Sequence, residues 1–282
     1  MSGSIVGRIY DTTPWRRYCA VQMISTDSLE GIEDRDEVSA GWVTEQGTRS
    51  ETDTPEVGKW RIEVHEMYAE PKATQKLLDD ANVNVEAWLS RKIADKFART
   101  QNDAFVNGDG VGKPRGFATY TTAATADSSR TWGQIEHVAT GNSADFPSSD
   151  PADKLYDIIN ALNPGYRGGA TFACPRAVIT KIRKFKITTG NGYLWQPALT
   201  AGQPSTLLGF PVLESEDLPA LASGSLSLAF ANFGAAYQIV ERQGIRTIRD
   251  NLTSKPYVKF YTTARVGGGV INFDAIKFLK FS

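Results

Sequence analysis

A long amphipathic helix that leads into a glycine-rich turn limits the possible folds of this chain more than any other feature. Its apolar residues recur every four positions and form one stripe on a helix, interrupted only by Gln101. The stripe consists of Val85, Leu89, Ile93, Phe97 and Phe105. Asn84 is a suitable N-cap, and Asn107-Gly108 predicts a left-handed stop. Because the helix is long, charged on its other face and followed by no catalytic residue type, we interpret it as scaffolding.

The turn from Asn107 to Gly116 is rich in glycine, which is typical of loops that bind phosphate. A P-loop, however, needs a glycine at the position of Asn107 and a serine or threonine at the position of Pro114. The dinucleotide fingerprint fails at Arg115, and a calcium loop would need a carboxylate at Phe105. We therefore predict a structural turn formed by Asn107, Gly108, Asp109 and Gly110. An enzyme or ligand-binding protein that uses the Asn107–Gly116 turn stays open as the alternative from another functional class.

Composition narrows the functional class further. A chain of 282 residues predicts two subdomains rather than one core. Its 31 Lys and Arg against 32 Asp and Glu argue against a protein that grips nucleic acid through bulk charge. The two cysteines and two histidines have no metal-ligand spacing, and no catalytic serine motif is present, so we expect no metal, no cofactor and no enzymatic activity. No apolar stretch has the length of a transmembrane helix, so we expect no membrane partner.

The segment from residue 41 to residue 70 predicts an extended hairpin. Strand-like runs at Gly41–Thr44 and Trp60–His65 flank a polar stretch that contains Pro55. A two-stranded hairpin is marginally stable alone, so it needs a surface in its own chain or in a neighbouring chain. The rest of the chain mixes helices, such as residues 151–162, with short strand-like runs and shows no internal repeat. This pattern predicts a mixed α+β fold.

Several segments occur in an order typical of one known family. They are the hairpin, Gln75–Asp80, the long helix with Asn107–Gly110, Pro114–Phe117, the helix at 151–162, Thr206–Val212 and Arg249–Asn251. In this order they resemble the major capsid proteins of tailed bacteriophages, which have the Hong Kong 97-type fold. The resemblance covers most of residues 5–282 and extends to the capsid proteins of phage-like gene transfer agents of alphaproteobacteria.

The resemblance implies an α+β capsid fold in four parts. They are an N-terminal arm at 1–40, an extended hairpin loop at 41–70, a peripheral domain at 71–150 and 246–270 with the long spine helix, and an axial domain at 151–245 and 271–282. It implies a structural protein whose copies form the hexamers and pentamers of an icosahedral-type shell around double-stranded DNA. Further partners would be the portal and other head proteins, in a virion or phage-like particle head assembled in the bacterial cytoplasm. An encapsulin-type compartment shell is the alternative within this fold.

The resemblance also implies particular subunit contacts. In this family the hairpin lies over a neighbouring subunit, so the expected contact residues are Trp42, Arg49, Trp60, Ile62 and Val64. Alternatively, the two tryptophans pack within their own chain. Some members join subunits by a Lys–Asn isopeptide bond with a Glu as catalyst, but here Arg49 stands at the matching hairpin position and no Glu follows Glu241, so we expect non-covalent assembly. Many members lose an N-terminal scaffolding segment, and this sequence looks like the trimmed form.

Overall fold

The computed structural model describes residue 10 and residues 14–35, 38–49, 51–52, 54–80, 84–186, 195 and 206–282. Residues 1–9 of the expected N-terminal arm lie outside these residues. The helices in the described ranges are α1 (Gln75–Asp80), α2 (Val85–Asn107), α3 (Asp153–Ala161), α4 (Pro164–Arg167), α5 (Arg176–Arg183) and α6 (Phe233–Ala236). None of these helices is both long enough and apolar enough to cross a membrane.

The strands form three sheets of seven, five and two strands. They are β1 (Ala20–Met23), β2 (Ser28–Asp34), β3 (Val57–Glu63), β4 (His65–Ala69), β5 (Lys72–Thr74), β6 (Thr122–Ala123), β7 (Ile135–Ala139), β8 (Thr171–Cys174), β9 (Thr206–Leu207), β10 (Phe210–Glu214), β11 (Ser225–Ala231), β12 (Tyr237–Asp250), β13 (Tyr257–Val270) and β14 (Ile276–Phe281).

The five-stranded sheet carries the spine helix α2 on one face. Its order is β1-β12-β13-β4, and β5 also pairs with β13. Side chains alternate along β13 between a buried and a more exposed side, and α2 covers the buried side, where Ile93 and Phe97 pack against Ala264. The helix begins at Asn84, whose side-chain oxygen accepts a hydrogen bond from the N–H of Ala87 at 2.9 Å. The apolar stripe of the sequence is thus the face that α2 turns towards the sheet.

Gln101, the polar position in that stripe, is buried because its amide joins two other segments. Its oxygen accepts a hydrogen bond from the Arg16 guanidinium at 2.6 Å, and its nitrogen donates to the Met67 sulfur at 3.2 Å. Arg16 is also ion-paired with Glu241. A buried amide with partners for both of its atoms avoids the cost of an unsatisfied polar group. Gln101 therefore fastens the N-terminal segment to the spine helix.

The seven-stranded sheet forms the second layer of the fold. Its order is β6-β7-β14-β11-β8-β10-β9, with parallel and antiparallel pairs. The helices α3 and α5 pack on one side through an apolar cluster that includes Leu155, Ile158, Val178 and Ile182. A second, aromatic cluster contains residues of both sheets and joins them into one core.

The expectation of an N-terminal arm at 1–40 is wrong for residues 15–34. Trp15 is fully buried in the aromatic cluster, where its ring lies 5.1 Å from the rings of Phe117 and Phe233. Residues 20–23 form β1, which pairs in parallel with β12. Residues 28–34 form the first strand of the hairpin. The burial of the Trp15 indole outweighs the irregular local sequence, so this segment belongs to the body of the subunit.

The expected hairpin bounds of 41–70 also need correction. The hairpin is formed by β2 and β3, paired from Ser28↔Glu63 to Asp34↔Val57. Gly41–Thr44 forms no strand, and β4 leaves the hairpin to pair with β13. Trp42-Val43 is apolar enough to suggest a strand, but no described strand lies opposite it. In β2 an isoleucine stands between two carboxylates on the exposed face, and its strand partner is β3.

Sheet membership shifts two of the expected domain boundaries. β7 lies in the range 71–150 that was assigned to the peripheral domain, yet it pairs with β14 in the seven-stranded sheet. β12 begins at Tyr237, within the range assigned to the axial domain, yet it belongs to the five-stranded sheet. Both differences arise because strand pairing joins segments that are distant in sequence, which local patterns do not report.

Candidate assembly surfaces: the hairpin, its base and the turn after the spine helix

The stem of the hairpin is stabilised by side chains that lie across glycines of the opposite strand. Trp60 stands directly opposite Gly31, and a Cβ atom on Gly31 would collide with the indole ring. Arg35 lies in the same way over Gly58 and is ion-paired with Glu33. Both glycines are therefore required by close side-chain approach. Trp60 thus packs against a strand of its own chain.

The base of the hairpin is fixed to the five-stranded sheet through a strip of glycines. Ile62 is only 6% exposed and lies 3.4 Å from the position that a Cβ atom on Gly269 would occupy. A Cβ atom on Gly267 would collide with the carbonyl group of Glu63. The expectation that Ile62 contacts a neighbouring subunit is therefore wrong, because its side chain is buried in its own subunit. Val64 is half-buried, and its N–H donates to the Asp27 carbonyl at 3.0 Å.

The tip of the hairpin, residues 35–56, contains no strand in its described part. Trp42 is fully exposed, and Val38 and Val43 are exposed as well. Arg49 is exposed and lies outside regular structure. Large exposed apolar side chains on an unsupported loop indicate a surface that is covered in an assembly. Of the five expected contact residues, Trp42 and Arg49 are the two that the structure leaves fully available.

The turn after the spine helix differs in detail from the expected left-handed stop. Gly108 has φ −65° and ψ 140°, and the first left-handed residue is Gly110 at φ +82°. Gly108 is extended because the chain crosses itself there: a Cβ atom would collide with the carbonyl oxygens of Ala104 and Pro114. The N–H of Gly116 closes the turn by donating to the Gly108 carbonyl at 2.8 Å. Asn107 and Asp109 flank this crossing.

Four backbone N–H groups of the turn, those of Gly108, Val111, Arg115 and Gly116, are engaged within the subunit. The N–H of Val111 donates to the Asp109 carboxylate at 3.0 Å, and the N–H of Arg115 donates to the Gly268 carbonyl at 3.0 Å. The Val111 N–H, with support from Lys113, holds the pKa of Asp109 below its usual value. A phosphate-binding loop needs its N–H groups free to face the ligand. The arrangement therefore gives the ligand-binding alternative no support.

A groove of about 370 Å³ separates this turn from the base of the hairpin. Its walls include Trp60, His65, Asp109 and Arg115. The Arg115 guanidinium lies 4.0 Å from the centre of the Tyr120 ring, and this stacking fixes its position. Cations and carboxylates both line the groove, so it presents no single charge to a ligand.

A buried ionic cluster in the seven-stranded sheet gave no signal in the sequence. The Lys277 side chain is 0% exposed and contacts Asp127 and, at 2.9 Å, Glu136. The Arg130 side chain is 2% exposed and contacts Asp127 at 2.6 Å and Asp274. Burial and the nearby Asp127 charge raise the pKa of Asp274 above its usual value. The cluster holds the segment after β6 against the sheet. Charged residues in short strands normally point to solvent, so the sequence pattern did not predict that these side chains are buried.

The cysteines are unsuited to nucleophilic chemistry. Cys19 and Cys174 are both free and buried. Burial raises the pKa of the Cys19 thiol to about 12 and also raises that of Cys174, where Glu214 and Glu216 add repulsion. Within the described ranges, no group of three or more His, Cys, Asp or Glu side chains has the geometry to hold a metal ion.

Comparisons with known proteins agree along the whole chain. The model of the phage capsid family matches residues 1–281. The chain is 40% identical to the capsid protein of a native GTA (gene transfer agent) particle, with a TM-score of 0.92, covering 100% of this chain and 94% of that one. The capsid protein of an empty GTA particle gives 40% identity and a TM-score of 0.91 over the same shares. No curated protein sequence matches the chain.

A more distant match shows that the fold is shared where sequence similarity is low. The capsid protein of Myoviridae phage XM1 is 15% identical, with a TM-score of 0.68, covering 99% of this chain and 95% of that one. At this identity the likeness supports the fold alone.

Proposed function

The chain belongs to the phage capsid family, and we propose that its copies form hexamers and pentamers that build a closed icosahedral-type head around double-stranded DNA. It is a structural major capsid protein. The observation that carries the proposal is the full-length match, at 40% identity, to the capsid chain of an assembled GTA particle. The family match favours a particle head over an encapsulin-type compartment.

The hairpin supports a shell in which each subunit holds its neighbour. A two-stranded hairpin is marginal in water, yet this one extends from the subunit with an exposed tip. Its base is rigidly fixed where Glu63 meets Gly267, so the tip is presented at a defined place. We assign Trp42 and Arg49 as the inter-subunit contacts of the tip. Many modest contacts of this kind, repeated around a closed shell, give a stable particle.

Assembly through the hairpin would be non-covalent. An isopeptide bond requires an amine as nucleophile, and Arg49 carries a guanidinium in its place. At the turn between β12 and β13, the Asp250 carboxylate accepts hydrogen bonds from the N–H groups of Leu252 and Thr253 and from the Thr253 hydroxyl. These bonds, the Thr253 hydroxyl first, lower the pKa of Asp250. An ionised carboxylate suits an ion pair with a guanidinium and is a poor acyl donor.

The charges of the spine helix support an inner shell surface that attracts DNA only weakly. The exposed side of α2 carries charges of both signs: Arg91, Asp95, Lys96 and Asp103. Tyr10 of the N-terminal segment lies over the Arg99 guanidinium at 4.1 Å. A surface of mixed charge gives weak, non-specific attraction to phosphates. We therefore assign the charged side of α2 to the lumen, with DNA held there by proximity.

Two structural units support the division into domains. We assign the peripheral domain to the five-stranded sheet with α2, and the axial domain to the seven-stranded sheet with α3 and α5. The axial domain would surround the symmetry axis of each capsomer. The portal and other head proteins would join the particle during assembly in the bacterial cytoplasm.

Electron microscopy of the expressed chain tests this proposal. The expected result is closed shells or capsomers with five- and six-fold symmetry. The contents separate the alternatives, because nuclease-protected DNA marks a particle head and copurified enzyme marks a compartment. Thermal stabilisation by nucleotides or divalent metals would instead favour a ligand-binding protein that uses the Asn107–Gly116 turn.

A further inference from the structure

The strand β1 is an edge of the five-stranded sheet that lacks the usual protection against pairing with another chain. Its outer side has no neighbour among the described strands. Residues 18–26, which include β1, contain no charged residue and no proline. Val21 is 45% exposed and Met23 is 70% exposed. An uncharged edge strand with exposed apolar side chains is a template for a further strand.

The other sheet edges are protected. The opposite edge of the same sheet carries Glu66 in β4 and Lys72 in β5, with Pro71 directly before β5. β6 and β9, the edges of the seven-stranded sheet, have two residues each. Both strands of the hairpin carry several charged residues. Among the described strands, β1 is therefore the edge that offers a partner strand the least resistance.

The pairing of β1 with β12 determines which backbone groups of β1 point outwards. The N–H of Ile24 donates to the Glu241 carbonyl at 2.8 Å, at the end of this parallel pairing. Only alternate residues of a strand bond to the same neighbour, so Gln22, like Ile24, faces β12. The N–H and C=O groups of Val21 and Met23 therefore point away from the sheet, and the two side chains lie on one face.

We propose that β1 pairs with β1 of a second copy, antiparallel and with the two-fold axis at Gln22. Val21 of each copy then stands opposite Met23 of the other, and each such pair exchanges both of its N–H···O=C bonds. The valine and methionine side chains lie beside one another as an apolar cross-strand pair. This inference rests on the proposed shell function. It adds a two-fold contact that does not involve the hairpin.

A second copy is the occupant favoured by the geometry of an edge. Any other extended segment laid against β1 would itself become a new open edge, whereas pairing of β1 with itself leaves neither copy with an open edge there. The two-fold axis that relates the strands of an antiparallel pair is perpendicular to the sheet. Both copies therefore keep α2 on the same side, which a closed shell with α2 towards its lumen requires.

The contact is too small to join two free subunits. A few hydrogen bonds and two apolar pairs do not offset the freedom that is lost when two molecules associate. We therefore expect β1 to pair only where other contacts already hold the subunits together, within an assembled particle.

Disulfide formation at Gln22 tests the position of the two-fold axis. In the proposed pairing the two Gln22 Cα atoms are about 4.5 Å apart as a non-hydrogen-bonded pair, within reach of a disulfide. We expect about half or more of the Gln22→Cys chains in oxidised particles to run as dimers on a non-reducing gel. Thr26→Cys is the matched control, because it is exposed on the same segment but distant from its copy in this pairing. Cys19 and Cys174 are buried and do not compete.

Charges at the paired positions provide a second readout. Val21→Lys together with Met23→Lys places lysine opposite lysine, and we expect it to lower the yield of particles about tenfold or more. Val21→Glu together with Met23→Lys places opposite charges across each pair and should restore most of the yield. Because both side chains are exposed in the free subunit, neither variant should change its midpoint of unfolding in denaturant.

The outcomes separate this inference from the proposed function. If particles form, Gln22→Cys gives no more dimers than Thr26→Cys and the lysine variant assembles at the wild-type yield, the inference fails while the shell function stands. If the lysine variant does not assemble but Gln22→Cys forms no dimers, β1 pairs with a different segment and the two-fold pairing is wrong. If the wild-type chain builds no particles at all, the proposed function itself fails.

Discussion

The indole N–H of Trp15 donates a hydrogen bond to the Asp217 carboxylate at 3.1 Å, across 202 residues of chain. The backbone carbonyl of Asp217 in turn accepts a hydrogen bond from the Asn107 amide at 2.7 Å. The N-terminal segment, the end of the spine helix and the segment after β10 therefore meet at one point. This junction, together with the pairing of β1 and β12, fixes the segment that begins at Trp15 to the body of the subunit, although its sequence suggests a free arm.

The two tryptophans Trp15 and Trp42 predict opposite mutational effects. Trp15→Ala should lower the free energy of unfolding by about 3–5 kcal/mol, because loss of a fully buried indole leaves a cavity and removes one hydrogen bond from the Asp217 carboxylate. Trp42→Ala should leave unfolding unchanged, because the side chain is fully exposed in the free subunit, yet it should impair particle formation. Denaturant unfolding of unassembled subunits, together with electron microscopy, measures both. Equal stability of Trp15→Ala and wild type would contradict the buried junction.

The base of the hairpin predicts a strict requirement for glycine at residue 267. Gly267→Ala should cost about 1–3 kcal/mol of unfolding free energy, because the new methyl group must displace the Glu63 carbonyl. Gly168→Ala is the control, because a Cβ atom there meets no neighbouring atom. If both variants unfold at the same denaturant concentration, the close approach between β3 and β13 is wrong.

Asp274 predicts an unusual pH dependence. Its raised pKa means that the folded state holds the proton more tightly than the unfolded chain. The resulting stabilisation is complete below the ordinary carboxyl value of 3.8 and is lost as pH rises through the folded pKa. The melting temperature of the Asp274→Asn variant, expressed as a difference from wild type, should therefore increase as pH rises from about 3 to about 7.

Asp145 supplies the opposite case for comparison. Its hydrogen bond from Lys181, at 2.8 Å, lowers its pKa, so its stabilisation is present above 3.8 and is lost as pH falls through the folded pKa. Asp145→Asn should lose melting temperature at neutral pH and approach wild type in acid. Parallel pH profiles for the two variants would refute the assignment of both environments.

The two cysteines predict all-or-none labelling. Because Cys19 and Cys174 are buried and their pKa values are raised, neither thiol should react with a thiol reagent in the folded subunit. Both should react together in denaturant, along the same transition as the loss of structure. Rapid labelling of either one under native conditions would show that its element opens locally.

The sequence predicts the elements that depend on local periodicity better than those that depend on pairing. The apolar stripe from Val85 to Phe105 lies within a helix of 23 residues because the repeat of four residues is visible locally. The partner of β3 could not be identified in this way. The sequence of β2 is interrupted by Gly31, and that glycine is accounted for only by its pairing with Trp60 of β3. Lys277 is similar, since its burial depends on the carboxylates of Asp127 and Glu136, which come from two other segments.

Part of the candidate site was within reach of sequence reasoning. Trp42 stands out as an apolar residue in a polar, turn-rich segment, and the structure leaves it exposed. Ile62 looked equivalent, but its burial follows from glycines that lie about two hundred residues further along the chain. The exposed surface that Tyr68, Ile248 and Tyr261 form could not be predicted, because these side chains become neighbours only when three strands pair.

Cryo-electron microscopy of the purified, full-length chain would show directly whether its copies assemble. We expect closed shells in which capsomers of five and six subunits are visible and each hairpin lies over a neighbouring subunit. A population that stays monomeric at every protein and salt concentration, with the hairpin tip uncovered, would contradict it.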